Sequence, residues 1–380
     1  MRSATCLFLL AALGVACSSN DDPDPATGAA ACTAAPELIV AASDYSPASS
    51  VVCGAPCCAR SDGAADLGDD PALALSNGRA FYITRTGVAG DVLFELDPRT
   101  GRPTAKIVGL HDLALPGKDA NPHDAAAAAD GTIFVPLYSV PRLAFLKDGV
   151  VTGSLDLSAY DTDGNPQADA IRILGDKAYL TLERLDDAAA LASTRPSQML
   201  RIDVATRTVE ATIELEGRNP FGVMAELGGA LYLAEPGNFN AAGDDRAGIE
   251  RFDTATSTTK LLVRETALGG SVAEVAVTDG CGVAIVAGPE DGVNPTRVVC
   301  FDPTTGEVLG TIFGPTPGYD LQGLAWRGST LYLGDRRTAA DGTWPIHVFE
   351  RGAGCALALS SRTIPLPQRP VALRPTSGTP

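Results

Sequence analysis

The chain has 380 residues, with 46 Asp and Glu against 29 Lys and Arg, for a formal net charge of −17. That excess of acid argues against nucleic acid and anionic membrane surfaces as partners, because both require stripes of Lys and Arg. The length allows one large core or two ordinary domains.

The first element lies outside any core. Met1 and Arg2 make a positive start, and Cys6 to Ala16 (CLFLLAALGVA) is an apolar run too short to cross a bilayer but long enough for a secretory signal. Ala16-Cys17 and the polar tract SSNDDPDPATG follow. This arrangement resembles a bacterial lipoprotein signal, whose cleavage leaves the cysteine at the new N-terminus carrying lipid. The resemblance implies a signal peptide over 1–16, lipidation of Cys17 and a lipid anchor to the cell envelope. An ordinary cleaved signal would release the protein instead. Ser18 resembles the outer-membrane default, so the expected place is the outer membrane, with exposure at the cell surface. Residues 17–35 are rich in Asp, Pro, Ala and Gly and read as a flexible tether.

Residues 36–380 read as a single domain of repeats. One recurring pattern is a Gly followed by a short apolar strand: NGRAFYITR (77–85), DGTIFVPLY (130–138), LGDKAYLTL (174–182), LGGALYLAE (227–235), DGCGVAIVA (279–287) and RGSTLYLGD (327–335). The other is a strand that ends in a turn marked by Asp97, Asp148, Asp203, Asp253 and Asp302, at intervals of 49 to 55 residues. In Asp-Pro-x-Thr-Gly the Asp caps its own turn, Pro presets φ and Gly takes the left-handed position. With one strand before each Gly and one after each Asp turn, every unit is a four-stranded meander, and such units are propeller blades. Six blades run from about Asp70 to Leu366. ELIVAASDYSPASSVVCG (37–54) supplies two middle strands of a seventh, and RPVALRP (369–375) its lone inner strand, so pairing the two ends closes the ring without an open sheet edge. The expected fold is therefore all-β, a seven-bladed β-propeller of four-stranded antiparallel blades.

The Asn-Pro strand starts at Asn121 and Asn219 and the Asp-x-x-Thr hairpins at 97, 203, 253 and 302 make the chain similar to the YVTN-type seven-bladed β-propellers, WD40-like repeat proteins of exported and surface bacterial proteins. That resemblance covers nearly all of 37–375. It implies architecture and leaves function open, because the fold hosts binders, scaffolds and enzymes alike.

NPHDAAAAADGTIFV (121–135) aligns without a gap on NPFGVMAELGGALYL (219–233), so Asn-Pro belongs to the repeat while His123 and Asp124 differ from Phe221 and Gly222. The position heads a blade's first strand, which lines the central channel. Its equivalents are Asp70 (or Pro71), Asp169, Gly222, Glu274, Asp320 and, in the last strand, Arg369. Asp70, His123, Asp124, Asp169, Glu274 and Asp320 are thus expected at one channel mouth, where like charges recruit a cation or polar ligand. The competing reading is that each acid caps a strand by accepting backbone N–H bonds from the next blade. YDTDGNPQAD (160–169) offers Asp161, Asp163, Asn165 and Asp169 at spacings that wrap oxygens around calcium, the one cofactor the sequence suggests, although an Asn/Asp/Gly turn that binds nothing has the same composition. His111 and Asp112 could join His123 and Asp124 in a transition-metal site. His347, in IHVFE, reads as an ordinary strand histidine.

Outside the signal and Cys17, seven cysteines remain, an odd number. Cys281 and Cys300 begin and end adjacent strands of one hairpin, which predicts a disulfide between them. A second bond is expected between Cys355 and one of Cys32, Cys53, Cys57 and Cys58, beside the ring closure. No G-x-S-x-G, HExxH, Walker A or C-x-x-C-H motif occurs, and two tryptophans are too few for a quinone-cofactor propeller. The reading is a monomeric ligand- or protein-binding scaffold lipoprotein at the cell envelope. The alternative is a lyase or hydrolase with a metal-assisted site in which His123 and Asp124 are catalytic.

Overall fold

A computed structural model describes residues 36–45, 51–55, 58, 70–86, 90–98, 101–238, 244–288 and 295–376. The expectations for the signal, Cys17, Cys32, Cys57 and most of the tether fall outside these residues.

The chain begins in the middle of a blade, with β1 (Leu38–Ala42) and β2 (Val51–Ala55). Blade 1 follows as β3 (Pro71–Ser76), β4 (Arg79–Thr84), β5 (Val92–Leu96) and β6 (Pro103–Gly109). Blade 2 is β7 (Ala126–Ala127), β8 (Ile133–Leu137), β9 (Arg142–Lys147) and β10 (Val150–Asp156). Blade 3 is β11 (Ala168–Leu174), β12 (Lys177–Leu182), β13 (Gln198–Asp203) and β14 (Thr208–Glu214). Blade 4 is β15 (Phe221–Leu227), β16 (Ala230–Glu235), β17 (Gly248–Asp253) and β18 (Thr258–Arg264). Blade 5 is β19 (Ser271–Thr278), β20 (Cys281–Ala287), β21 (Thr296–Phe301) and β22 (Val308–Thr316). Blade 6 is β23 (Leu321–Arg327), β24 (Thr330–Asp335), β25 (Trp344–Arg351) and β26 (Leu357–Leu366), and β27 (Pro370–Pro375) ends the described chain. Six sheets are four-stranded antiparallel meanders, and the seventh has the order β2-β1-β27, so both chain ends build blade 7 as the repeat predicts.

The closure is antiparallel pairing, with Leu38 opposite Pro375 and Val40 opposite Leu373 and a register shift between Ala41 and Ala42. Ser43 N–H donates to the Arg369 carbonyl at 2.7 Å beyond one end of the ladder. Apolar residues explain why the blades stack. Second strands such as β16 and β20 are buried at every position, because neighbouring blades cover both faces, and their runs of Val, Ile, Leu and Ala carry almost no polar residue. Fourth strands such as β14 alternate exposed and half-buried positions at the rim. Seven apolar clusters occur among the described residues, one at each blade junction. At the closing junctions, Leu38, Val40 and Leu373 pack on Tyr332 and Ile346 of blade 6, while Ile39 and Val52 pack on Leu73 and Tyr82 of blade 1.

The turn chemistry is as the repeat suggested. Asp203 Oδ1 accepts from the Thr206 backbone N–H at 2.8 Å and its hydroxyl at 2.9 Å, and Asp253 holds Thr256 the same way. These bonds hold the Asp253 carboxyl below the ordinary carboxylate value. Asn77-Gly78 and Asp148-Gly149 have positive φ at both residues, the geometry of a two-residue hairpin turn. Asn121 and Asn219 also have positive φ, 53° and 58°. That accounts for Asn before Pro in the repeat, since Asn tolerates the left-handed region better than other residues with a Cβ.

The predicted Cys281–Cys300 disulfide is not formed. Val283, not Cys281, stands opposite Cys300 in the β20–β21 ladder, so the two cysteines are offset diagonally by two residues. Cys281 is bonded to Cys355 of blade 6, and Cys300 is a free, buried thiol. Cys355 therefore does not reach the N-terminal cysteines, and Cys53 pairs with Cys58 within blade 7. No helix among the described residues is long and apolar enough to cross a membrane.

Candidate functional site

The first strands contact one another around the ring, β3 to β7 to β11 and on through β27 back to β3. Where they begin, the channel widens into a cavity of about 480 Å³. Pro71, Phe221, Val223, Leu321 and Val371 give it apolar walls, and Tyr319 and Gln322 stand with them. His123, Asp124, Asp169 and Glu274 line it, as the repeat alignment predicted. Asp70 and Asp320 are not among its lining residues. Asp70 forms an ion pair with Arg85 at 2.5 Å, and burial pushes the Asp320 carboxyl up.

The acids of the ring serve mainly as caps for the following blade. Asp124 accepts from Ala125 N–H at 2.9 Å, from Ile171 N–H at 3.0 Å and from Arg172 Nη1 at 3.1 Å. Asp169 Oδ2 accepts from Gly222 N–H at 2.7 Å. Glu274 accepts from Gly323 N–H at 2.9 Å and Leu324 N–H at 3.0 Å. Each acid thus stitches its inner strand to the inner strand of the next blade. Carboxylates satisfied in this way have few lone pairs left for a cation, and the donor set does not fit a metal held by the ring.

His123 pairs with Asp169 of the next blade rather than with its sequence neighbour Asp124. Its Nδ1 lies 2.6 Å from Asp169 Oδ1. The ring stacks on Tyr138 with centroids 4.1 Å apart and an interplanar angle of 11°. Tyr138 donates its hydroxyl to Glu183 Oε2 at 2.8 Å. Burial lowers the His123 pKa below 6.5, against the opposing pull of Asp169. Burial, followed by the Asp169 charge, raises Glu183 well above the carboxylate range, and burial raises Tyr138 too. The imidazole is therefore neutral at pH 7, with its Nδ1–H donated to Asp169 and Nε2 left as an acceptor on a cavity-lining side chain.

Arg374 also lines the cavity, and burial lowers its pKa, with the Glu274 charge the largest opposing influence. Residue type alone did not mark Arg85, Tyr138, Glu183 or Arg374. A positional signal existed for the first three: each ends or follows the apolar second strand (FYITR, FVPLY, LTLE), where a polar side chain meets the channel face.

The Asp-rich loop does not gather its oxygens. Asp161 and Asp163 are both engaged by the Arg195 guanidinium, Asp163 at 2.9 Å, and Asp169 points to His123. Asp163 Oδ1 instead accepts from Asn165 N–H at 3.1 Å. The cation of this loop is an arginine, which displaces the expected calcium geometry. His111 and Asp112 form an exposed pair with each other at 3.4 Å and do not join His123. His347 sits in β25 with Nε2 2.9 Å from Asp335.

No protein-family model and no curated protein matches this sequence. Solved structures do match its fold. Kuenenia stuttgartiensis hydrazine synthase aligns with a TM-score of 0.56 at 13% identity, covering 80% of this chain and 88% of that one. A streptogramin B lyase aligns with a TM-score of 0.53 at 15% identity, covering 80% and 86%. Virginiamycin B lyase from Staphylococcus aureus aligns with a TM-score of 0.50 at 12% identity, covering 76% and 83%. At these identities the likeness is one of fold, and the fold is a seven-bladed β-propeller.

Proposed function

We propose that the chain is a small-ligand-binding propeller whose ligand enters the channel mouth and donates a hydrogen bond to His123 Nε2. The observation that carries this reading is the His123–Asp169 pair at 2.6 Å, which fixes the tautomer and leaves Nε2 as an acceptor in a cavity whose walls are apolar at Phe221, Val223 and Leu321 and whose acids Asp124 and Glu274 are engaged by backbone N–H groups. The ligand class that fits is a compact molecule with an O–H or N–H donor and an apolar body lying against Phe221 and Leu321. Ligand-observed NMR with a fragment library tests it. Fragments that bind the wild type and lose at least about tenfold in affinity, roughly 1.4 kcal/mol, in both His123→Ala and Phe221→Ala support it. Fragment binding unchanged by either substitution removes the cavity as the site.

A second reading is favoured by the same pair: a neutral imidazole oriented by a carboxylate is the arrangement of a general base. The lyases of similar fold make an eliminating enzyme a natural form of this idea. In it His123 removes a proton and Asp169, not Asp124, orients it, with no metal held by the ring acids. Turnover of any bound fragment that disappears in His123→Ala while binding persists in His123→Gln would distinguish catalysis from binding.

The Cys6–Cys17 stretch supports placing this propeller at the cell envelope as a lipoprotein. Partition into the detergent phase, lost in Cys17→Ser, tests the anchor.

A further inference from the structure

Blades 5 and 6 meet at three cysteines. Cys281 opens β20, Cys300 lies near the end of β21, and Cys355 stands between β25 and β26 of the next blade. Their Sγ atoms all lie within 4.8 Å of one another, and no other trio of Cys, His or carboxylate side chains among the described residues comes as close. Cys281 and Cys355 are bonded to each other, and the Cys300 thiol is free and buried beside them. A single core cysteine is a small apolar side chain and needs no further account. A third sulfur beside a disulfide gives the cluster one more donor than the bond uses.

We propose that reduction of the Cys281–Cys355 bond turns Cys281, Cys300 and Cys355 into a three-thiolate site for a soft d¹⁰ cation such as Cu(I) or Cd(II). A dithiol supplies the two electrons and two protons. Its own sulfurs join as a disulfide, and the S–S bond of the protein becomes two thiols. The cation then displaces three thiol protons and forms three metal–sulfur bonds. At a bond length of about 2.3 Å, three sulfurs around one ion stand roughly 4 Å apart, a spacing the cluster reaches by side-chain rotation. Thiolates select soft cations over calcium or magnesium. Leu321, Leu324 and Trp326 of blade 6 pack against the cluster and keep competing water out. The Arg351 Nε donates to the Gly354 carbonyl at 2.6 Å, which holds a positive charge beside Cys355 against the excess charge of three thiolates. Because the ligands are thiolates, uptake of the ion releases protons and strengthens as pH rises. Exchange with a small disulfide runs the step backwards: that disulfide takes the two electrons and leaves as thiols, the Cys281–Cys355 bond re-forms and the ion is expelled, making the site a redox gate.

The test is a Cd(II) titration of the full chain, followed by sulfur-to-cadmium charge-transfer absorbance. It compares wild type, Cys300→Ala and Cys355→Ser, each oxidised and after reduction with removal of the dithiol. The remaining thiols are common to all three proteins. Reduced wild type is expected to bind about one equivalent more tightly held Cd(II) than either reduced variant, at least about tenfold in affinity, while oxidised wild type and oxidised Cys300→Ala bind alike. Equal uptake by the reduced wild type and reduced Cys300→Ala overturns the proposal. So does loss of the β-sheet circular-dichroism signal on reduction, because the three sulfurs must then have separated.

Discussion

His123 Nδ1 lies 2.6 Å from Asp169 Oδ1, across a blade junction and 46 residues along the chain. The Asp124 beside it in sequence turns instead to Ile171 N–H and Arg172. The first prediction follows from this pairing. Burial depresses the His123 pKa, while the Asp169 carboxylate raises it. NMR titration of the imidazole Cε1–H should give a His123 midpoint below 6.5, and Asp169→Asn should move it lower still. For stability, a depressed pKa means no penalty above 6.5, where the imidazole is neutral folded or unfolded. The folded state loses stability as pH falls below 6.5, because only the unfolded chain takes up the proton freely. A His123 midpoint above 6.5 would contradict the buried, neutral imidazole.

A second pH dependence runs the other way. Glu235 is fully buried, and neither of its oxygens has a donor in the structure. Glu250 beside it accepts from Glu216 N–H at 3.1 Å and Gly217 N–H at 2.6 Å. Those donors mark Glu250 as the charged partner and Glu235 as the protonated one, and burial raises Glu235 well above the ordinary 4.5. Its stabilising contribution is complete below 4.5 and is lost as pH rises through the raised value. Glu235→Gln keeps a donor toward Glu250, so urea unfolding at pH 8 should find the variant more stable by about 1–2 kcal/mol, with the gap closing toward pH 5.

Arg195 holds Asp161, whose side chain has no exposed surface. Arg195→Ala leaves that buried carboxyl with Arg184 at 3.9 Å and the Thr162 N–H, and should cost about 1–3 kcal/mol by denaturant unfolding. Calcium should not raise the melting temperature of the wild type above the value in equal magnesium, because the guanidinium already fills the loop. A calcium-specific rise would restore the loop as a metal site.

Peptide mapping without reduction should recover Cys281 joined to Cys355, with Cys300 alkylated. The bond closes a sequence separation of 74 residues. Its removal in Cys281→Ser or Cys355→Ser should cost about 4 kcal/mol through the unfolded chain. Cys300→Ala should cost closer to 1 kcal/mol, the loss of one small buried side chain.

Leu373 is the apolar centre of the closing strand, packed with Val40 and Tyr332. Leu373→Ala should cost about 2–5 kcal/mol and should accelerate unfolding, since the last strand alone completes the ring. A change within experimental error would mean that the closing pair contributes little.

The sequence by itself determined the ring. A repeat near fifty residues, Asp-capped turns and the half-blades at each end are local signals, set by turn conformation and by the apolar runs of strands buried on both faces. The same periodicity placed His123, Asp124, Asp169 and Glu274 at one height, because a repeat fixes position along each blade. It could not say which neighbour each side chain addresses. The partner of His123 comes from the next blade, the cation of the 161–169 loop is an arginine about thirty residues further on, and Cys281 reaches across a junction to Cys355. Those choices depend on the stagger between adjacent blades and on the diagonal offset within the β20–β21 ladder. Both are properties of packed sheets, set by the fit of side chains that lie far apart along the chain, and only the tertiary structure decided them.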